Sequence, residues 1–62
     1  MTEYDFIKTV TVKIDNRQSV SKKEINTALN YLHALQSSNA YPGSKIEAMH
    51  IGGVLADELS KK

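Results

Sequence analysis

The acid–histidine pair at Glu47 and His50 is the arrangement in this chain with the most recognisable chemistry. Its Glu-x-x-His spacing puts both side chains on one face of a helix, as in the pairs with which helical bundles bind metal ions. Such a site needs further inward carboxylates, and the helical segment before it offers only Glu24, at its very start. Cysteine is absent, so thiolate ligands are excluded. We therefore predict no metal site and no cofactor.

Hydroxyl side chains are plentiful, but none lies in a sequence context that would activate it as a nucleophile. The chain has no histidine–acid partner for a serine, no glycine-rich phosphate loop, no nucleophile elbow and no zinc signature. Catalysis also needs a pocket that excludes water, which 62 residues can hardly enclose. The sequence predicts a protein that is not an enzyme.

Positive charge is concentrated in residues 8–23, although the net charge of the chain is only +1. Two of these cations, Lys22 and Lys23, fall in the first turn of a predicted helix, where free backbone amides can bind phosphate. Together with Arg17 they form a candidate anion site. Two solvated lysines and a solvated arginine are the alternative explanation.

The first element that would position these residues is predicted to be a β-strand at about residues 4–14. Even positions of this segment are mostly apolar and odd positions mostly polar, with Lys8 and Ile7 as the exceptions. Alternation combined with β-branched residues is typical of a strand with one buried face. Residues 15–18 have turn chemistry and end the strand.

Two serine boxes then predict two helices. Ser21 is followed three residues later by Glu24, and Ser44 by Glu47, and each box precedes apolar residues at helical spacing. The predicted helices cover about residues 21–37 and 45–60 and form an antiparallel helical hairpin.

The second of these helices is apolar on two sides, which predicts burial on two sides. One stripe can pack on the first helix of the hairpin, and the other on a partner chain. The adjacent glycines inside the helix are unfavourable relative to alanine, and close approach between subunits explains them best. The predicted oligomer interface consists of Met49, Gly52, Gly53 and Ala56.

A single small domain is all that this length allows, and such a domain is marginal as a monomer. A lone strand also leaves its backbone hydrogen bonds unsatisfied. We therefore predict an α+β fold, with one N-terminal strand and a helical hairpin, in an obligate homodimer with an intersubunit β-ribbon. No segment has the length or the apolar character of a membrane span or signal core, so a cytoplasmic location is expected.

The order strand, helix, helix in a short dimeric chain resembles the ribbon-helix-helix DNA-binding family. That resemblance implies a homodimeric transcriptional regulator whose ribbon enters the major groove. Its base-reading residues would be Thr9, Thr11 and Lys13 on the outward face of the strand. Phosphate would be held at the start of the second helix, by Ser44 and Lys45.

Two other functions fit the sequence. The chain could be a small interaction or inhibitor protein, of the phage or anti-defence type, that docks on a larger partner through its strand edge or its outer helical surface. It could also be an oligomer that sequesters a small anionic ligand such as a nucleotide, held by Arg17, Lys22 and Lys23. All three hypotheses describe a small, non-enzymatic regulatory protein.

Overall fold

The computed structural model describes residues 2–62 and folds them into three α-helices. Helix α1 spans Glu3–Asp15, α2 spans Lys22–Ser37 and α3 spans Lys45–Ser60. No strand occurs anywhere in residues 2–62, so the predicted α+β fold with its N-terminal strand is wrong, and the protein is all-helical. The intersubunit β-ribbon is wrong for the same reason, because it required that strand.

Helix α1 forms because its sequence carries a helical repeat beneath the alternation. Ile7, Val10 and Thr11 are buried and Ile14 is partly buried, which is the i, i+3, i+4, i+7 spacing of one helix face. Val12, which a strand would have turned inward, is instead 52% exposed. β-branched residues disfavour helix only weakly, so packing of one continuous face overrides their preference.

The start of α1 is fixed by a capping box at Thr2 and Asp5. The Asp5 amide donates to the Thr2 hydroxyl at 3.1 Å, and the Thr2 amide donates to the Asp5 carboxylate at 3.4 Å. These bonds satisfy amides that have no partner inside the helix. The same chemistry at Ser21 and Glu24, predicted from the sequence, is confirmed, with both hydrogen bonds at 3.1 Å.

The core lies where the three helices meet. Its buried members come from all three helices and from the loop before α2, so no pair of helices would form it alone. They are Ile7, Val10, Val20, Ile25, Ala28, Leu32, Ala48, Ile51 and Leu55.

Helices α1 and α2 end in the same way, with a left-handed residue that is not glycine. Arg17 follows α1 with φ of 59°, and Asn39 follows α2 with φ of 58°. The Gln18 amide bonds to the Lys13 carbonyl at 2.8 Å, and an equivalent bond closes α2. This is the Schellman pattern, in which glycine is preferred and asparagine is tolerated. Arginine is the unfavourable choice of the two.

Replacing Arg17 with glycine is therefore expected to raise the free energy of unfolding by about 1 kcal/mol. The substitution relieves the steric cost of the left-handed conformation, and within residues 2–62 the exposed Arg17 side chain makes no hydrogen bond or ion pair that would be lost. Urea unfolding followed by circular dichroism measures the change. The matched control is Asn39→Gly at the end of α2, where the gain should be smaller. A loss of stability in Arg17→Gly would contradict this account.

Candidate functional site

The outer face of α3 is the most exposed apolar surface of the protein. It consists of Ile46, Met49, Gly53, Ala56 and Ser60, spaced alternately three and four residues apart so that they form one stripe. Ile46 is 80% exposed and Met49 is 71% exposed, while Ala48, Ile51 and Leu55 of the same helix are buried in the core. Helix α3 therefore has the two apolar sides predicted from the sequence, and only one of them is covered within the chain.

The two glycines of α3 have room for a side chain within their own subunit. A Cβ atom added at Gly53 would meet nothing within 4 Å, and one added at Gly52 would lie 3.5 Å from Leu32, an ordinary van der Waals distance. Each glycine nevertheless destabilises a helix interior by roughly 0.5–1 kcal/mol relative to alanine. The packing of this chain does not explain the pair.

Charged and polar residues flank the outer face of α3 on both edges. His50 and Asp57 lie along one edge, two turns apart, and both are exposed. Asp57 pairs with Lys61 at 3.3 Å, and both side chains of that pair are mostly exposed, so the pair contributes little. Lys45 and Gly52 lie along the other edge.

A second group of functional side chains, the Glu47 cluster, joins α1 to the start of α3. It consists of Tyr4, Lys8, Tyr41 and Glu47. The Lys8 ammonium donates to the Glu47 carboxylate at 2.7 Å, and the hydroxyls of Tyr4 and Tyr41 each donate to it at 3.3 Å. The two tyrosine rings meet edge to face, with their centroids 5.4 Å apart.

Gly43 makes room for this cluster. A Cβ atom at Gly43 would collide with the carboxylate of Glu47 and would lie 2.8 Å from the ring of Tyr41. The Glu47 amide also donates to the Ser44 hydroxyl at 3.0 Å, which caps α3. The predicted box at Ser44 is thus half present, because the Glu47 side chain turns to Lys8 and the tyrosines instead of returning to the helix start.

In the Glu47 cluster, three donors surround one carboxylate and favour its ionised form. The hydrogen bond from Lys8 lowers the pKa of Glu47 below 4.5, and the same bond raises the pKa of Lys8 above 10.5. Because folding lowers the pKa of Glu47, the stability it adds is present above pH 4.5 and is lost as the pH falls through the folded value. A carboxyl with a lowered pKa is poorly suited to proton transfer near neutral pH.

Tyr41 provides a direct test of the cluster. Burial, reinforced by the nearby Glu47 carboxylate, raises the pKa of Tyr41 to about 12. A raised pKa means that the neutral phenol stabilises the fold fully below pH 10 and that this contribution is lost as the pH rises through about 12. We expect the near-ultraviolet absorbance of tyrosinate to show a late step that disappears in Tyr41→Phe. Persistence of that step in Tyr41→Phe, with Tyr31→Phe as the control, would contradict the assignment.

The residues predicted to read DNA do not share a face. Residues two positions apart point in nearly opposite directions on a helix, so Thr11 lies opposite Thr9 and Lys13, which are four residues apart and share one side of α1. The common outward face predicted for all three residues therefore does not exist. Thr9 is exposed, Thr11 is buried and donates to the Ile7 carbonyl, and Lys13 pairs with Glu24 at 3.5 Å. The strand that would have presented them to DNA is wrong, and contact of Thr9, Thr11 and Lys13 with DNA stays a prediction.

The remaining predicted contacts stay exposed. Ser44 is the N-cap of α3 and Lys45 is its exposed first residue. Lys22 and Lys23 lie in the exposed first turn of α2. Arg17 and Lys61 line an open groove in which three carboxylates oppose an anion, those of Asp15, Asp57 and Glu58. Anion binding by Arg17, Lys22 and Lys23 stays a prediction.

Sequence reasoning missed the Glu47 cluster, because its members come from three separate segments. Lys8 interrupts the apolar alternation of residues 4–14 and was the one local sign of a buried or paired cation. In the part of the chain that the structure describes, no three His, Asp or Glu side chains converge as metal ligands would. Over the same residues, no helix has the length and apolar character needed to cross a membrane.

Comparison with known proteins gives no relative: neither a protein-family model, nor a curated protein, nor a solved structure matches this chain.

Proposed function

We propose that this chain is a small regulatory protein that acts by binding protein and not by catalysis, and that the outer face of α3 is its binding surface. The observation that carries the proposal is the exposure of Ile46 and Met49, at 80% and 71%, next to each other on the outer face of α3. Large apolar residues that stay together in water mark interaction sites.

The occupant that we propose for this face is an α-helix of a second copy of the chain. Small residues at Gly53 and Ala56 allow another helix to approach closely, and Ile46 and Met49 supply the side chains that such a helix would cover. Oligomerisation would also offset the limited core of so short a chain. The size of the domain and the nature of the surface support the same occupant.

The test is the state of association of the full chain before and after the outer face of α3 is charged. In sedimentation experiments over a range of protein concentrations, we expect the wild type to reach twice its monomer mass of 6.9 kDa. The double variant Ile46→Lys/Met49→Lys should remain a monomer with unchanged circular dichroism, because both positions are exposed.

The matched control is Val12→Lys, which charges an exposed apolar position on α1. It should associate as the wild type does. If the wild type stays monomeric at every concentration, or if the double variant associates as strongly as the control, the outer face of α3 is not the binding surface.

DNA binding is the alternative function, and it no longer has the support of a β-ribbon. Two of the five cations in residues 8–23, Lys8 and Lys13, are paired with Glu47 and Glu24, which leaves less free charge for phosphate. We expect random duplex DNA titrated with the protein at several salt concentrations to show no saturable binding. A curve whose log affinity falls steeply with log salt would favour DNA instead.

A further inference from the structure

We infer that two copies of this chain pair through α3 in antiparallel orientation, with the two helices crossing at Gly52 and Gly53. This arrangement rests on the proposed function, because it specifies how the outer face of α3 is covered. Three independent features of α3 lead to it: the position of the glycines, the distribution of side-chain size, and the order of the polar residues His50 and Asp57 along one edge.

The glycines locate the crossing point. Both have room for a Cβ atom within the subunit, so nothing in the chain's own packing requires them. Two helices come closest at the point where they cross, and Gly53, which is open on the outer face, has no side chain that would hold the backbones apart there. Gly52 lies at the edge of this face, where an added Cβ atom would lie 3.5 Å from Leu32 of the same subunit. Gly52 and Gly53 lie at the middle of the 16-residue helix, so a crossing there uses its whole length.

Side-chain size then decides the orientation. The large residues of the outer face, Ile46 and Met49, precede the crossing point, and the small residues Ala56 and Ser60 follow it. In an antiparallel pair that crosses at Gly53, Ile46 and Ser60 lie seven residues before and after the crossing, so they face each other across the two copies. Met49, four residues before the crossing, lies within one residue of the level of Ala56, three residues after it, on the other copy. Large residues fill the space that small ones leave, as close packing requires.

The parallel alternative lacks this match. It would place each residue opposite its own copy, so that the Ile46 and Met49 side chains crowd together at one end. At the other end, Ala56 and Ser60 would each face their own copies across a gap, so van der Waals contact would be lost there. The helix dipoles would also point the same way, whereas they oppose each other in the antiparallel pair.

The polar residues along one edge agree with the antiparallel order. His50 lies three residues before Gly53 and Asp57 lies four residues after it, so each His50 comes within one residue of the level of Asp57 of the other copy, where an imidazole N–H can donate to the carboxylate. Both side chains are exposed, and Asp57 is also paired with Lys61 of its own helix at 3.3 Å, which is the competing partner. The two-fold symmetry provides the His50–Asp57 contact twice.

Disulfide trapping tests the orientation, and the chain contains no cysteine of its own. The probes are Met49→Cys and Ala56→Cys, both at exposed positions. In the antiparallel pair these two positions face each other, whereas the two copies of residue 49 lie about 12 Å apart along the axis, too far for a disulfide. An oxidised equimolar mixture should give several-fold more linked dimer than either variant alone.

The outcomes separate this inference from the proposed function. Linked dimer from each variant alone, and only about half as much from the mixture because half of its dimers pair unlike positions, would mean a parallel pair and would overturn the inference while leaving the binding surface in place. If the wild type does not associate and neither the mixture nor the single variants crosslink, the inference and the proposed function both fail.

A charge exchange tests the edge contact. His50→Glu places a second carboxylate opposite Asp57, and Asp57→Lys removes the carboxylate that accepts from His50, so each should weaken association, by about tenfold over the two symmetric contacts. The double variant His50→Glu/Asp57→Lys should recover most of that loss. Asp57→Lys alone and the double variant both lack the bond to Lys61, so their difference reports the contact between copies. A double variant no better than Asp57→Lys would overturn the assigned contact.

Discussion

Replacing Leu55 with alanine is expected to lower the free energy of unfolding by about 2–5 kcal/mol. Leu55 is fully buried where α3 meets the core, and truncation would leave a cavity as well as removing apolar contact. Domains have only about 0.05–0.15 kcal/mol of stability per residue, so a chain of 62 residues would lose much of its total. Urea unfolding followed by circular dichroism, at one fixed protein concentration, measures the change.

The concentration must be fixed because association stabilises the folded state by mass action. The control is Leu59→Ala, one turn further along α3, where the side chain is only partly buried and the loss should be smaller. Equal losses at the two positions would contradict the burial on which the fold description depends.

Replacing Gly53 with leucine is expected to raise the stability of the monomer and to abolish its association. The position is open within the subunit, and leucine favours a helix more than glycine does, so the dilute monomer should gain roughly 0.5–1 kcal/mol in its free energy of unfolding. The same side chain would hold two α3 helices apart at their crossing, so association should fall below detection. Unfolding at low concentration and sedimentation at high concentration measure the two effects.

Ala34→Leu is the matched control, since it adds bulk to an exposed position of α2. It should leave association unchanged. A Gly53→Leu protein that associates like the wild type would show that the glycine pair has another purpose.

The two helices that follow residue 20 could be predicted because their signals are local. Ser21 and Ser44 mark the helix starts with hydroxyls that accept from amides three residues later, and the structure begins α2 and α3 one residue after each serine. The apolar repeats that follow have the helical period over several turns.

Helix α1 could not be distinguished from a strand by the spacing of its apolar residues alone. Its β-branched residues alternate as in a strand, yet Ile7, Val10 and Thr11 also keep helical spacing. The decisive signal, Thr2 followed by Asp5, is a capping box like the two that were recognised, and reading it would have favoured a helix. Packing against α2 and α3 also favours the helix, and no local sequence pattern records that packing.

The two candidate sites also differ in how far they could be predicted from the sequence. The outer face of α3 is a repeat along one helix, so the sequence alone predicted Met49, Gly53 and Ala56 as its members. The Glu47 cluster forms only when residues 4, 8 and 41 are brought to Glu47 by the fold. No spacing within one element encodes such a convergence.

The glycine pair also determines how α3 moves. Two adjacent glycines weaken the middle of this helix, so its backbone hydrogen bonds should open more often than those of α2 in the free chain. A helix laid across Gly52 and Gly53 would shield those same amides and slow their exchange with solvent. In the proposed dimer, the segment that binds would then also be the segment that becomes ordered on binding, and part of the interaction free energy would be spent on that ordering.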